Sequence, residues 1–304
     1  MNSRPLVECV PNFSEGRDPA IVQAIAKAIA STNVAILDQT MDRDHNRSVV
    51  TFAGAPENVA EAAFRGIREA VRRIDLRFHS GVHPRIGAAD VVPFVPVQGV
   101  TLQDCVGIAW RTGQRVWDEL QVPVYFYEAA ARRPWCVDLA EVRQGQFEGL
   151  LEEAVRNPDR RPDIGGPNLH QTAGAVAIGA RKFLIAFNIN LATADVSIAR
   201  SVARAVRQSS GGLPCVKALG LPLASRNLAQ VSLNLTDFEQ TPIAAAFEAV
   251  RAEAEQRGVA VVSTELIGLL PRKALDEHAT WFRLLEKFEP GRVLETRIEQ
   301  ETAS

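Results

Sequence analysis

The order of predicted strands and helices is the same in both halves of the chain, and it constrains the fold more than any other feature. In each half, short apolar runs typical of buried strands alternate with stretches of helical periodicity. Predicted strands cover residues 6–10, 34–37, 48–52, 91–95, 182–191, 216–223, 228–235 and 259–264. Helices are predicted over residues 18–30, from Pro56 to beyond Val71, over 195–208 and over 241–257. Both halves therefore follow β-α-β-β-α-β, the split βαβ order, and we expect an α+β fold of two such units.

Local signals mark the ends of several predicted helices. Asp18 before Pro19 supplies an N-cap and a first-turn proline. Thr101, with Asp104 three residues later, has the spacing of a capping box and opens a further helix that runs to about residue 120. A strand is predicted over 122–127. The charged connector 156–163, which contains two prolines, marks by composition the boundary between the units.

Composition excludes several classes of protein. A chain of 304 residues accommodates two domains, and a net charge of −2 gives no electrostatic support for binding nucleic acid. No apolar run approaches the ~20 residues of a membrane helix, and the N-terminus lacks the hydrophobic segment of a signal peptide. The four cysteines lie far apart, without a CxxC pair. We therefore expect a cytoplasmic protein with reduced thiols that binds neither nucleic acid nor a membrane.

The segment GVHPRIGAAD, residues 81–90, combines a histidine, an arginine and a carboxylate in a stretch that cannot be regular. Pro84 keeps His83 out of the helical region, and the flanking glycines permit tight turns. A polar loop joined to a buried strand is a common way of presenting catalytic groups. The alternative is an ordinary turn in which His83 caps a carbonyl. The combination His-Pro-Arg between glycines favours a catalytic role, with His83 as an acid–base group.

Two other polar segments have competing interpretations. His79 and His83 are four residues apart, but Gly81 and Pro84 break any helix that would bring the imidazoles onto one zinc ion, so we expect no metal. The glycine-rich segment 165–175 matches neither GxGxxG nor a P-loop, which argues against a nucleotide site. It is either a linker or a ligand-binding loop that leads into the second unit.

Four segments together resemble the formiminotransferase domain, the glutamate formimidoyltransferase family. They run in family order, cover nearly the whole chain and read LVECVPNFSEG (6–16), HPRIGAAD (83–90), GARKFLIAFNIN (179–190) and NLAQVSLN (227–234). The resemblance implies two ferredoxin-like subdomains, over residues 1–178 and 179–304, with a substrate tunnel between them, in a homodimer. It also implies transfer of the formimino group from N-formimino-L-glutamate to tetrahydrofolate as co-substrate.

The resemblance also assigns site residues. His83 falls on the catalytic histidine of the family, and an imidazole suits a proton shuttle between the attacking and leaving nitrogens. The folate-binding loop falls on Gly166, Pro167, Asn168, Leu169, His170, Gln171, Thr172, Ala173 and Gly174. Both substrates carry carboxylates, which arginines bind in a bidentate manner. Further candidates for substrate binding are Asn12, Asp42, Arg47, Arg85, Arg181, Asn188 and Asn190.

The sequence departs from the family pattern at three points. A carboxylate linked to catalysis in the animal enzymes aligns with Thr40. The folate loop is one residue shorter than in those enzymes. A tryptophan of their folate loop aligns with Ala173. We expect a stand-alone form without the cyclodeaminase domain. Three other functions stay open, namely formyl transfer between 5-formyltetrahydrofolate and glutamate, folate binding without catalysis, and a zinc amidohydrolase, which the histidine spacing disfavours.

Overall fold

Each half of the chain builds its own sheet and its own hydrophobic core. The computed structural model describes residues 5–43, 45–81, 83–223 and 226–303. Two compact units divide between Arg181 and Lys182. In the described residues, no helix is both long and apolar enough to cross a membrane.

The first unit contains the more extended sheet. Its strands are β1 (Leu6–Cys9), β2 (Asn12–Phe13), β3 (Ala35–Asp42), β4 (Arg47–Gly54), β5 (Ala89–Gln98), β6 (Val124–Glu128) and β7 (Val176–Ala180). Its helices are α1 (Pro19–Ala30), α2 (Pro56–Arg73), α3 (Leu102–Leu120), α4 (Leu139–Val142) and α5 (Gln146–Arg156). The Asp18 carboxylate caps α1, and the predicted Thr101–Asp104 capping box opens α3.

The strand pairing brings distant parts of the first unit together. β3 pairs with β4, β4 pairs with both β1 and β2, and these two short strands pair with β5, all antiparallel. β7 then adds to β5 and β6 adds to β7, both in parallel. The amphipathic helix α2 packs between α1 and α3, with its apolar side chains in the core. The sheet therefore places the start of β4 and the start of β5 on opposite sides of β2.

The second unit is a smaller antiparallel sheet with two long helices. Its elements are β8 (Ile185–Leu191), α6 (Val196–Val206), β9 (Val216–Leu223), β10 (Leu228–Leu235), α7 (Ile243–Glu255), β11 (Val261–Ile267), α8 (Thr280–Arg283) and α9 (Leu294–Ala303). The strand order is β11-β8-β10-β9. Alternate residues of β8 and β10 point into the core, as period-two patterning requires. The tip of the β9–β10 turn, Ala224 and Ser225, lies outside the described residues.

The structure differs from the sequence-based expectations about organisation at three points. The connector 156–163 is not a boundary, because Arg160 is buried and donates to the carbonyls of Glu141 and Gln144 within the first unit. The division predicted between residues 178 and 179 falls inside β7. The strand predicted to start at Lys182 begins at Ile185. The strand β7 escaped detection because its run VAIGA is small and glycine-containing, and parallel pairing with β5 and β6 makes it a strand.

Candidate active site

His83 lies in the loop between α2 and β5, within contact of the first residue of β4. Its Nε2 is 2.8 Å from Nη1 of Arg47. A guanidinium group can only donate hydrogen bonds, so Nε2 accepts and the neutral imidazole carries its proton on Nδ1. The imidazole lone pair thus points at Arg47.

The surroundings of His83 favour the uncharged ring. Burial, followed by the positive charges of Arg47 and Arg143, lowers the pKa of His83 from 6.5 to about 4, against the opposing effect of Asp90. The imidazole is therefore neutral near pH 7. A neutral ring can accept a proton, which is the first requirement of a general base.

The glycines around His83 allow close contact with two other segments. A Cβ at Gly81 would lie 2.3 Å from the carbonyl oxygen of His45, in the β3–β4 turn. A Cβ at Gly87 would lie 1.9 Å from the carbonyl oxygen of Ala175. Neither position has room for a side chain. The two glycines let the histidine loop rest between the β3–β4 turn and the glycine-rich segment.

Arg47 is held by the β3–β4 turn. Asn46 before it has φ of +49°, a left-handed conformation that asparagine tolerates. The side chain of Asn46 accepts from the N–H of Gly16 and donates to the carbonyl of Ser80, which fixes the turn. Burial and the charge of Arg143 lower the pKa of Arg47 to about 10, so the guanidinium is charged near pH 7. Its Nε is buried without a partner.

Arg85 is paired within the protein and is not oriented as a free carboxylate anchor. Its two terminal nitrogens donate to the carboxylate oxygens of Glu148 at 2.7 and 2.6 Å. Its Nε donates to Nδ1 of His79 at 3.1 Å, and Nε2 of His79 donates to the carbonyl of Asn46 at 2.9 Å. This pairing links α5 to the β3–β4 turn through His79. Binding of substrate by Arg85 stays a prediction.

Asp90 and Arg143 form a largely buried ion pair beside His83. The Asp90 carboxylate, in a residue that is 2% exposed, accepts from Nη2 of Arg143 and from the backbone N–H of Ile86. The pair anchors the histidine loop to the segment between α4 and α5. Sequence reasoning missed Arg143 and Glu148, because both lie about 60 residues from the loop in a stretch without any motif.

The glycine-rich segment runs directly beside the histidine loop. Ala88 and Leu76 donate their N–H groups to the carbonyls of Ala173 and Thr172, and Ala175 donates to the carbonyl of Ile86. The ring nitrogen Nδ1 of His170 accepts from the N–H of Ala173, which closes a tight turn inside the segment. Three predicted folate-binding residues expose much of their surface, namely Gly166, Asn168 and Gln171.

The other predicted residues take different positions. Asn12 is buried on β2 next to β5, and its Oδ1 has no hydrogen-bond partner. Asp42 ends β3, is exposed and bonds to His45, while Arg181 directly follows β7. Thr40, on β3, is exposed.

The second unit carries Asn188 and Asn190 on one face of β8. Asn188 donates to the Glu265 carboxylate at 3.2 Å. Asn190 is buried, accepts from Gln230 at 2.9 Å and donates to Ser263 at 3.0 Å. The two asparagines are therefore part of a side-chain network, beyond the simple backbone capping that is common at strand ends.

A small cleft of the first unit collects the groups around the imidazole. It is lined by Phe13, Ser14, His45, Asn46, Arg47, His79, His83, Arg85 and Asp90. Among the described residues, no group of three or more histidine, cysteine, aspartate or glutamate side chains could hold a metal ion. The cleft combines a neutral base with charged guanidinium groups, which suits proton transfer next to a bound anion.

Comparisons with known proteins show the family to which the chain belongs. The formiminotransferase domain, N-terminal subdomain, matches residues 6–181, and the formiminotransferase domain matches residues 186–294. A glutamate formimidoyltransferase from Thermoplasma acidophilum is 47% identical over 97% of this chain and 98% of its own length. A glutamate formimidoyltransferase from Streptococcus pyogenes serotype M1 is 43% identical over 93% of this chain and 95% of its own length. A mouse formimidoyltransferase-cyclodeaminase is 43% identical over 93% of this chain but only 53% of its own length. The chain belongs to the formiminotransferase domain family.

Proposed function

We propose that this protein is a glutamate formimidoyltransferase, which transfers the formimino group of N-formimino-L-glutamate to N5 of tetrahydrofolate and releases L-glutamate. Two relatives that match over nearly their full length carry this name, at 47% and 43% identity. The observation that carries the proposal is the neutral imidazole of His83, which lies beside a charged guanidinium on a loop bonded to the glycine-rich segment.

The reaction needs one proton moved between two nitrogens. N5 of tetrahydrofolate attacks the amidine carbon and loses a proton to Nε2 of His83. The tetrahedral intermediate then collapses as the bond from carbon to the glutamate nitrogen breaks, and His83 returns the proton to that nitrogen. One imidazole serves as base and then as acid, and the free ring is neutral, as the first step requires.

The segment Gly166–Gly174 is the proposed folate site. Its backbone bonds to residues 76 and 86–88 place it against the loop of His83, so a folate held there brings N5 toward the imidazole. Asn168 and Gln171 are exposed and offer amides to the pterin or to the carboxylates of the folate tail. Leu169 and Ala173 are buried and hold the segment in place.

Several finer features belong to the proposal as well. The second unit has the strand order β11-β8-β10-β9. In the first unit, β5 pairs with the two short strands β1 and β2, these pair with β4, and β4 pairs with β3, which is the same order along the chain. Both orders support two ferredoxin-like subdomains. The substrate tunnel and the homodimer are predictions that come from the family resemblance, and the cytoplasmic location is a prediction from composition.

Turnover assays with the two candidate donors test the function. The protein is incubated with N-formimino-L-glutamate and tetrahydrofolate, and glutamate release is followed together with formation of 5-formiminotetrahydrofolate. A parallel reaction contains 5-formyltetrahydrofolate and glutamate. We expect much faster formimino than formyl transfer. Tetrahydrofolate binding without either reaction would contradict the proposal and favour a binding protein.

A further inference from the structure

In the free protein, the lone pair of the proposed base, His83, is already hydrogen-bonded. The only lone pair of the neutral His83 imidazole, on Nε2, accepts a hydrogen bond from Arg47 at 2.8 Å. A guanidinium at that distance leaves no room for the proton that N5 must give up. The arrangement seen in the structure is therefore not the reactive one, and Arg47 must move away from the ring before proton transfer.

Asp90 and Asp42 act on Arg47 through their charges, but neither is in ion-pair contact with it in the part of the first unit that the structure describes. Among the residues that the structure describes, no carboxylate forms an ion pair with Arg47. Asp90, the nearest buried carboxylate to act on it, is held by Arg143 and by the N–H of Ile86. Asp42 bonds to His45. The guanidinium therefore rests on a neutral imidazole although its charge would be stabilised far better by a carboxylate.

The charges that act on the His83 ring favour an incoming anion. Arg47 and Arg143 place two positive charges near the neutral ring against one negative charge from Asp90, while Asp42 adds a negative charge that acts on Arg47. The donor has two carboxylates, and their distances from the leaving nitrogen differ. The α-carboxylate carbon is two bonds from that nitrogen, whereas the γ-carboxylate carbon is four bonds away. The α-carboxylate is therefore held closer to the leaving nitrogen, and so to the imidazole that protonates this nitrogen, than the γ-carboxylate is.

We propose that Arg47 blocks the His83 imidazole in the free protein and frees it by pairing with the α-carboxylate of the donor's glutamate. This inference rests on the proposed function and names the group that recognises the donor. Binding of the correct substrate thereby creates the free lone pair that the chemistry needs. A molecule without an α-carboxylate would leave the base blocked.

The electrostatic consequence has a definite sign. When a carboxylate neutralises Arg47 and removes its hydrogen bond from Nε2, the pKa of His83 must rise from about 4, while burial, the largest cause of the lowered pKa, continues to hold it below 6.5. The other groups facing the ring are Arg143, Asp90 and the imidazole of His45, whose centroid is 6.2 Å away. Arg143 and Asp90 remain paired with each other, so the change comes from Arg47.

The experiment measures the pKa of His83 by NMR on the whole protein labelled in its histidine rings, with the signal assigned by loss in His83→Asn. Titrations are run without ligand, with saturating L-glutamate and with saturating 4-aminobutyrate, which lacks the α-carboxylate. We expect glutamate to raise the pKa by at least one unit and 4-aminobutyrate to leave it unchanged. In Arg47→Gln the pKa should already be raised without ligand and should not respond to glutamate.

Arg17→Gln is the matched control. Arg17 is an exposed arginine that donates to the carbonyl of Arg43 and does not touch the His83 ring. It should keep the response to glutamate. A wild-type protein that turns over N-formimino-L-glutamate but shows no shift in the His83 pKa with bound glutamate would overturn the inference and leave the function standing. A glutamate response in a protein that turns over neither donor would refute the function alone.

Kinetics supply a second readout. We expect Arg47→Gln to lower kcat/KM for N-formimino-L-glutamate by at least 100-fold. The formimino derivative of 4-aminobutyrate should be used poorly by the wild type, whose base stays blocked, and better by Arg47→Gln, whose base is free without ligand. A wild-type enzyme with the same kcat/KM for this derivative as for the natural donor would overturn the role of Arg47.

Discussion

Replacing His83 with alanine tests the centre of the mechanism. The side chain is half-buried in a loop, and its one hydrogen bond to another side chain joins it to Arg47. Losing one such bond changes the free energy of unfolding by about 1 kcal/mol. Loss of a positioned acid–base group lowers kcat by about 10²–10⁴-fold, which corresponds to roughly 3–5 kcal/mol in the transition state. We therefore expect an almost inactive enzyme of nearly unchanged stability.

The pH profile of the intact enzyme makes the same prediction sharper. Because kcat/KM reports groups of the free enzyme, and the free imidazole must be neutral, kcat/KM should fall about tenfold per pH unit as the pH drops below about 4. In the donor complex the pKa is raised, so the acid limb of kcat should lie closer to pH 6.5. KM should accordingly decrease as the pH is lowered from the limb of kcat toward the limb of kcat/KM.

The assay is glutamate release in quenched samples across pH 3.5–8, with unfolding followed in urea. The exposed His278 provides a control, His278→Ala, which should behave as wild type. Arg47→Gln should move the limb of kcat/KM to higher pH, which separates His83 from the ionisation of substrate carboxylates. Near-normal turnover of His83→Ala, or an acid limb that persists unchanged in that variant, would refute the assignment.

Three further changes probe the surroundings of the site. Asp90→Asn removes the charge from a buried pair with Arg143 and should reduce the free energy of unfolding by about 3 kcal/mol, measured by urea denaturation; an unchanged midpoint would contradict the pairing. Gly174→Ala places a Cβ 2.1 Å from the carbonyl oxygen of Ile86 at φ of +68° and should lower the free energy of unfolding by about 3 kcal/mol or more. Asn168→Ala, at an exposed position, should keep the stability of the wild type and weaken tetrahydrofolate binding in calorimetry. Equal folate affinity of Asn168→Ala and wild type would count against the folate site. Dialysis against a divalent-metal chelator should leave turnover intact, because no suitable group of metal ligands occurs among the described residues. Loss of activity that only zinc restores would show that the enzyme needs a metal.

The sequence alone determined the features that depend on a few neighbouring residues. The helix begins at Pro19 because Asp18 can cap it, and α3 begins after Thr101 because Asp104 completes the capping box. The bounds predicted from the apolar runs for β9 and β10 agree with the structure to the residue. The resemblance in four short segments was enough to identify the family, which the comparisons confirm.

Tertiary structure decided which of the polar residues meet. Nothing local distinguishes Arg47, which faces His83, from Arg85, which is turned onto Glu148, because both are arginines in or beside a polar loop. The connector 156–163 looks like an exposed linker, yet the burial of Arg160 draws it into the first unit. Such pairings join residues about 20 to 60 positions apart. They are set by strand register and by the need to satisfy every buried charge, and both follow from the packing of the whole unit.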